Sequence, residues 1–224
     1  MKRLFLLLGA ALIAVAPLSA QSQKEIIKER KQVLKMTENE LNDKASKSAQ
    51  KEAKKLKKAG WTVAPGHLPL EKQLDRSYKL QYEVDEQLFP KYIIGDAMSI
   101  GEVYDAAKSQ ALSLAVLNLA GNIQKEVTAL VENSVANKQL AAEEAASIVE
   151  TITASKDIIS QSIGRTIPVV ECYRTVSHKN KEVRVVIFYN SEAAKGAVKR
   201  ALRDELAKKG QDLHGKLDKI MGLK

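Results

Sequence analysis

The sequence predicts an α+β fold: a small antiparallel sheet packed on helices, with a long helical extension before it and further helices at the C-terminus. Three observations carry that prediction. Two runs of β-branched and aromatic residues, RTIPVVECYRTV at 165–176 and EVRVVIFYN at 182–190, are separated by the polar SHKNK, which is the pattern of an antiparallel hairpin. Long segments with apolar residues at helical spacing lie on both sides of the hairpin. Cys172 is the only cysteine, so no internal disulfide can form and the core must be built by packing.

The chain opens with MKRLFLLLGAALIAVAPLSAQSQ. Lys2 and Arg3 precede an apolar run from Leu4 to Val15, and Pro17-Leu18-Ser19-Ala20 supplies small residues, so residues 1–20 read as a secretory signal cleaved after Ala20. The apolar run is shorter than the roughly 20 residues of a spanning helix, and no cysteine follows it to accept a lipid. A periplasmic or secreted product is expected, which argues against a role on genomic nucleic acid.

Residues 24–59 are rich in helix formers and contain neither Pro nor Gly, so they predict one long helix. Ile27, Leu34 and Leu41 recur at heptad spacing, and Ala45, Ala49, Ala53 and Leu56 continue a narrower stripe. A stripe that narrow suits docking along one other helix, either in a partner or in residues 70–89 of the same chain. GWTVAPGHLPLE at 60–71 reads as a loop. Leu70, Leu74, Tyr78 and Tyr82 then advance by four, with Leu88 and Phe89 beyond, and predict a helix that stops before Pro90. Residues 21–90 are thus expected to form a basic helical extension or hairpin.

The core domain is expected at 91–190. Tyr92, Ile93 and Ile94 suggest a short strand, and Gly95 and Gly101 suggest close backbone approach or turns. AKSQALSLAVLNLAGNI at 107–123 is the most apolar run outside the N-terminus, but it is too short and too polar-flanked to span a bilayer. It predicts an alanine-rich core helix over about 102–134. Leu140, Ile148, Ile152 and Ile159 predict a further helix over about 138–161. Pro168 pushes the first hairpin strand toward an edge or a bulge. After Ser191, an N-cap candidate, residues 191–224 predict a basic amphipathic helix ending at Gly210 and a short final helix through Leu213, Leu217 and Ile220.

This order of elements, with AAKSQALSLAVLNLAGNI, SQSIGRTIPVVECYR and EVRVVIFYN in sequence, resembles the bacterial envelope family typified by the twenty-kilodalton membrane-associated lipoprotein. That family is related to the N-terminal domain of flagellar assembly protein T. The resemblance covers about residues 91–190. It implies a small curved sheet on helices, a place in the cell envelope and no enzymatic chemistry. The chain departs from the family in lacking the lipid-acceptor cysteine and in carrying the basic helix 24–59.

Chemistry-bearing motifs are sparse. No glycine-rich phosphate loop and no nucleophile elbow is present. The three histidines, His67, His178 and His214, fall at no metal or dyad spacing and read as surface residues. Asp85/Glu86 and Glu143/Glu144 are adjacent pairs whose side chains diverge on a helix, so they do not predict a cation site. Cys172, inside a strand-like run, reads as a buried structural thiol, with a link between chains of an oligomer as the alternative. No cofactor is expected.

Charge points to the ends of the chain. The net charge of +9 divides into about +2 over 1–20, about +6 over 21–59, about −3 over 60–190 and about +4 over 191–224. Lys51, Lys54, Lys55, Lys57 and Lys58, followed by Trp61, could engage an anionic polymer such as lipopolysaccharide or an acidic glycan, although Trp61 itself reads better as the cap of a hydrophobic cluster. The expected function is that of an exported, non-enzymatic cell-envelope module. It would meet a protein partner through Ile27, Leu34 and Leu41, with anionic-polymer binding through the lysines as the alternative.

Overall fold

The computed structural model describes residues 44–85, 88–210 and 212–223. The expected signal segment and the stripe residues Ile27, Leu34 and Leu41 lie outside them. The order of elements is α1 (Lys47–Lys58), α2 (Leu70–Gln81), β1 (Tyr92–Gly101), α3 (Tyr104–Ala136), α4 (Ala142–Ala154), α5 (Lys156–Ser162), β2 (Ile167–Thr175), β3 (Lys181–Asn190), α6 (Ser191–Lys208) and α7 (Leu213–Ile220). The α+β class read from the sequence is the class observed.

The three strands form one antiparallel sheet in the order β1-β3-β2. Tyr92 pairs with Asn190 and Gly101 with Lys181, while Cys172 stands opposite Arg184 on the other side of β3. The register of β2 shifts between Pro168 and Val170. Pro168 lacks an N–H to give to a ladder and therefore occupies an edge strand at an irregularity.

Both faces of the sheet are covered, which is why β3 is buried along nearly its whole length rather than alternating. Val183, Val185 and Ile187 face Ala107, Ala111, Ala115 and Leu119 of α3, and the same cluster continues through Ile148, Ile152, Leu202 and Leu217. Val186 and Phe188 point the other way, into a second cluster with Ala49, Ala53, Trp61, Leu70 and Leu74. Residues on successive positions of one strand serve opposite layers, as the pleat requires.

Small residues let α3 come close. An added Cβ on Gly95 would lie 2.3 Å from the Ala115 carbonyl oxygen and 2.8 Å from the Leu119 Cβ. The close approach expected at Gly95 is therefore real. α3 runs for 33 residues, about 50 Å at 1.5 Å per residue. Among the described residues, no helix is long and apolar enough to cross a membrane.

Several boundaries differ from expectation, each for a local reason. A continuous helix over 24–59 is not formed: α1 starts at Lys47, and Ser46 is in extended conformation with φ −55° and ψ 153°. The Ser46 N–H donates to Asp75 Oδ1 at 2.8 Å, and the Ser46 hydroxyl accepts from the Ala49 N–H. Ser46 is thus an N-cap tied to α2. α2 ends at Gln81, before the positions expected for its C-terminus, and Leu88, with φ +66°, and Phe89 are exposed outside any helix. The helix expected over 138–161 is two helices broken at Ser155, although Leu140, Ile148, Ile152 and Ile159 are all buried as predicted. The N-cap of α6 is Asn190 rather than Ser191, its side chain accepting from the Ala193 N–H at 3.0 Å.

The division at residue 90 has no counterpart in the packing. Ala45–Lys224 is one compact unit. Residues 45–90 supply a layer of its core instead of an appendage, and the C-terminal helices α6 and α7 belong to the cluster on the α3 side.

Candidate functional site

The five expected lysines all lie on α1, and all are exposed. Lys51, Lys54, Lys55 and Lys58 follow i, i+3, i+4, i+7 spacing, so they share an arc of about 100° of the helix. Ala49 and Ala53 occupy the opposite side and are buried against the sheet. Burial of the alanine side is what turns the lysine side outward. Lys57 lies off this arc and pairs with Glu71 at 2.8 Å. The Lys57 ammonium holds the Glu71 carboxyl below its ordinary range. None of the other four lysines enters an ion pair among the described residues.

Trp61 does not join this surface. It is 7% exposed, packed with Ala53, Leu70 and Phe188 in the second cluster. The Arg174 guanidinium stands 4.9 Å from its ring centroid and covers what the cluster leaves open. The lysine surface is cationic without an aromatic partner, and Trp61 caps a hydrophobic cluster, the reading favoured for it from the sequence.

A polar constellation that the sequence did not reveal centres on Glu171. This β2 carboxylate is 9% exposed. Its Oε1 meets Lys108 Nζ at 2.8 Å and His67 Nε2 at 3.1 Å, and it accepts the Tyr104 hydroxyl. The Glu171 N–H donates to Gln73 Oε1 at 2.7 Å. Burial pushes the Glu171 carboxyl up, but the hydrogen bonds from Lys108 and Tyr104 outweigh it and the net shift is downward. Burial and the same contact raise the Tyr104 phenol. A carboxylate this well supplied with donors is a poor proton acceptor, and the group works as a hub joining β2, α3 and the 60–69 loop. No short motif announces it, because residues 67, 104, 108 and 171 are distant in sequence.

The other singled-out groups do not converge. His178 sits in the hairpin turn at φ +58°, and His214 Nε2 is 3.7 Å from Asp218 Oδ2 in α7. His67 is at the surface, as expected, and is also engaged by the Glu171 hub. Cys172 is buried, and burial pushes its thiol up to about 11. That leaves it neither a nucleophile nor an accessible disulfide donor. Glu144 accepts from the Ala141 N–H at 3.4 Å and pairs with Lys216, whereas Glu143 is exposed. Among the described residues, no group of three metal-ligating side chains is present.

Both edges of the sheet are engaged over part of their length by side chains or loop backbone. Asn118 Nδ2 donates to the Asp96 carbonyl and Asn122 Nδ2 to the Ile94 carbonyl, each at 2.9 Å, so α3 caps the free edge of β1. On the β2 edge, Thr62 and Tyr173 exchange two backbone bonds of 2.8 Å. These contacts hinder an incoming strand at Ile94, Asp96 and Tyr173.

Compared with known protein families, with curated proteins and with solved structures, the chain matches none of them.

Proposed function

We propose that this chain is an exported, non-enzymatic module of the bacterial cell envelope that acts by holding an acidic partner. The observation that carries this reading is the face of α1 formed by Lys51, Lys54, Lys55 and Lys58. It is four cations on one arc, exposed and without ion pairs among the described residues, while the opposite side of the helix is committed to the core. A buried carboxylate saturated by donors and a buried neutral thiol support a binding role over catalysis.

The partner is read as an acidic protein. Ile27, Leu34 and Leu41 would dock on one of its helices, and the lysine face would add electrostatic attraction and speed encounter. The resemblance of residues 91–190 to the envelope lipoprotein family supports the compartment. A second reading takes the partner as an anionic envelope polymer, lipopolysaccharide or an acidic glycan. It is favoured by the packing of Ala45, Ala49 and Ala53 within the chain, which leaves the lysine face as what α1 offers to others.

The experiment is a capture assay on envelope extracts with the wild-type chain, Leu34→Glu, and a variant with Lys51, Lys54, Lys55 and Lys58 all changed to Gln. Loss of a protein partner in both variants is the result expected. Capture lost only in the lysine variant, with affinity falling steeply as salt is added, selects the polymer. Capture unchanged in both contradicts the proposal.

A further inference from the structure

A groove of about 730 Å3 runs beside the edge of β1 that Asn118 and Asn122 cap, walled by α3 and by the junction of α4 and α5. Its volume is that of small-molecule sites, and most of the residues that line it are polar or charged, although their carbon atoms contribute more of the lining surface than their polar atoms do. We propose that it binds an anionic carbohydrate, meaning a polyhydroxyl ring that carries a carboxylate or a phosphate.

Three carboxamides set the character of the groove. The amide nitrogens of Asn118 and Asn122 each donate one hydrogen bond, to the Asp96 and Ile94 carbonyls, and Gln124 Nε2 donates to the Ile152 carbonyl at 2.5 Å. A carboxamide whose nitrogen is tied to a backbone carbonyl has its oxygen left as an acceptor. The groove thus presents three acceptors whose orientation is fixed by the fold before any ligand arrives. Each is suited to a ligand hydroxyl.

Two cations complete the lining. Lys125 and Lys156 border the groove and enter no ion pair among the described residues. Lys156 Nζ lies across Gly121, 3.6 Å from where a Cβ on that residue would stand. A side chain at position 121 would meet that lysine. The single carboxylate in the lining, Asp96, is occupied by Arg184 through contacts of 2.7 and 3.3 Å. It neither neutralises the lysines nor stands ready for a metal ion.

Other ligand classes fit poorly. Only Ile94 in the lining is a large apolar residue, so an apolar ligand would bury polar groups without partners. An extended peptide would have to displace Asn118 and Asn122 to pair with β1 beside the groove. Fixed acceptors for hydroxyls beside two free cations are the complement of a sugar acid or a sugar phosphate. The site is independent of the lysine face of α1.

The test is an NMR titration of the full chain with four probes: glucuronate, glucose 6-phosphate, glucose and inorganic phosphate. Saturable shifts at the side-chain amides of Asn118, Asn122 and Gln124 are expected with at least one anionic sugar, with glucose and inorganic phosphate at least about tenfold weaker. Preference for glucuronate or for glucose 6-phosphate says whether carboxylate or phosphate is the natural anion. Lys125→Gln/Lys156→Gln should weaken binding about tenfold or more with an unchanged thermal melt, and Lys125→Arg/Lys156→Arg should largely restore it. Three results would each overturn the proposal: no saturable shift with either anionic sugar, equal binding of inorganic phosphate or glucose, or an unaltered affinity in the glutamine variant.

Discussion

Gly95 of β1 and Ala115 of α3 lie so close that a Cβ on the glycine would stand 2.3 Å from the alanine's carbonyl oxygen. The nearest atom is backbone, so no side chain can rotate away. The contact sets how tightly α3, and with it the α3-side core, sits on the sheet.

Gly95→Ala should therefore destabilise the chain by about 3 kcal/mol, at the upper end of overpacking effects. Gly121→Ala, whose added carbon would meet only the flexible end of Lys156, should be neutral or stabilising by up to about 1 kcal/mol, since it replaces a helical glycine. Urea unfolding of the two variants checks the contrast.

The capped carbonyls of β1 make a different prediction. Asn122→Ala would strip the Ile94 carbonyl of its donor and should cost about 1 kcal/mol. The double variant Asn118→Ala/Asn122→Ala exposes two carbonyls of an edge strand, and should self-associate at concentrations where the wild type does not. Sedimentation velocity reads that outcome directly.

Ala53, 2% exposed against Trp61 and Phe188, tests whether α1 belongs to the core. Ala53→Glu buries an unpaired charge and should cost about 3 kcal/mol or more. Lys54→Glu, one residue along on the solvent side, should change stability by less than about 0.5 kcal/mol. An appendage that merely trailed from the domain would tolerate both equally.

Acid sensitivity follows from Glu171. Its folded pKa lies below its unfolded value, so its contribution to stability is present above the unfolded carboxylate range and is lost as pH falls through the folded pKa. Glu71 and Asp75 are shifted in the same direction, Glu71 by Lys57 and Asp75 by the Ser46 N–H against an opposing burial effect. Glu171→Gln should cost about 2 kcal/mol at neutral pH, and its stability should fall less steeply than the wild type's between about pH 5 and 3. Parallel pH profiles for the two proteins would remove Glu171 from the acid response.

Local signals carried much of the fold. The hairpin of β2 and β3 announces itself by residue type, Gly95 by its place in a strand, and Pro168 by the backbone group it lacks. Ser46 was illegible because the residues on both sides of it are good helix formers. The bond that stops the helix there comes from Asp75, which lies 29 positions away. The Glu171 hub and the groove beside β1 were hidden for the same reason, since each joins side chains from elements that only the tertiary fold brings together. The lysine face could be counted from sequence and Trp61 read as a cap on a hydrophobic cluster, whereas the partners in that cluster, Leu70 and Phe188, come together only in the tertiary fold.

The most direct test of the central claim is photo-cross-linking in living cells from probes at Lys54, on the exposed face of α1, and Asn180, in the β2–β3 turn. The account predicts a discrete acidic partner captured from position 54 and absent from position 180, and lost when Lys51, Lys55 and Lys58 are changed to Gln. Equal capture from both positions, or capture from position 54 that survives removal of the lysines, would contradict it.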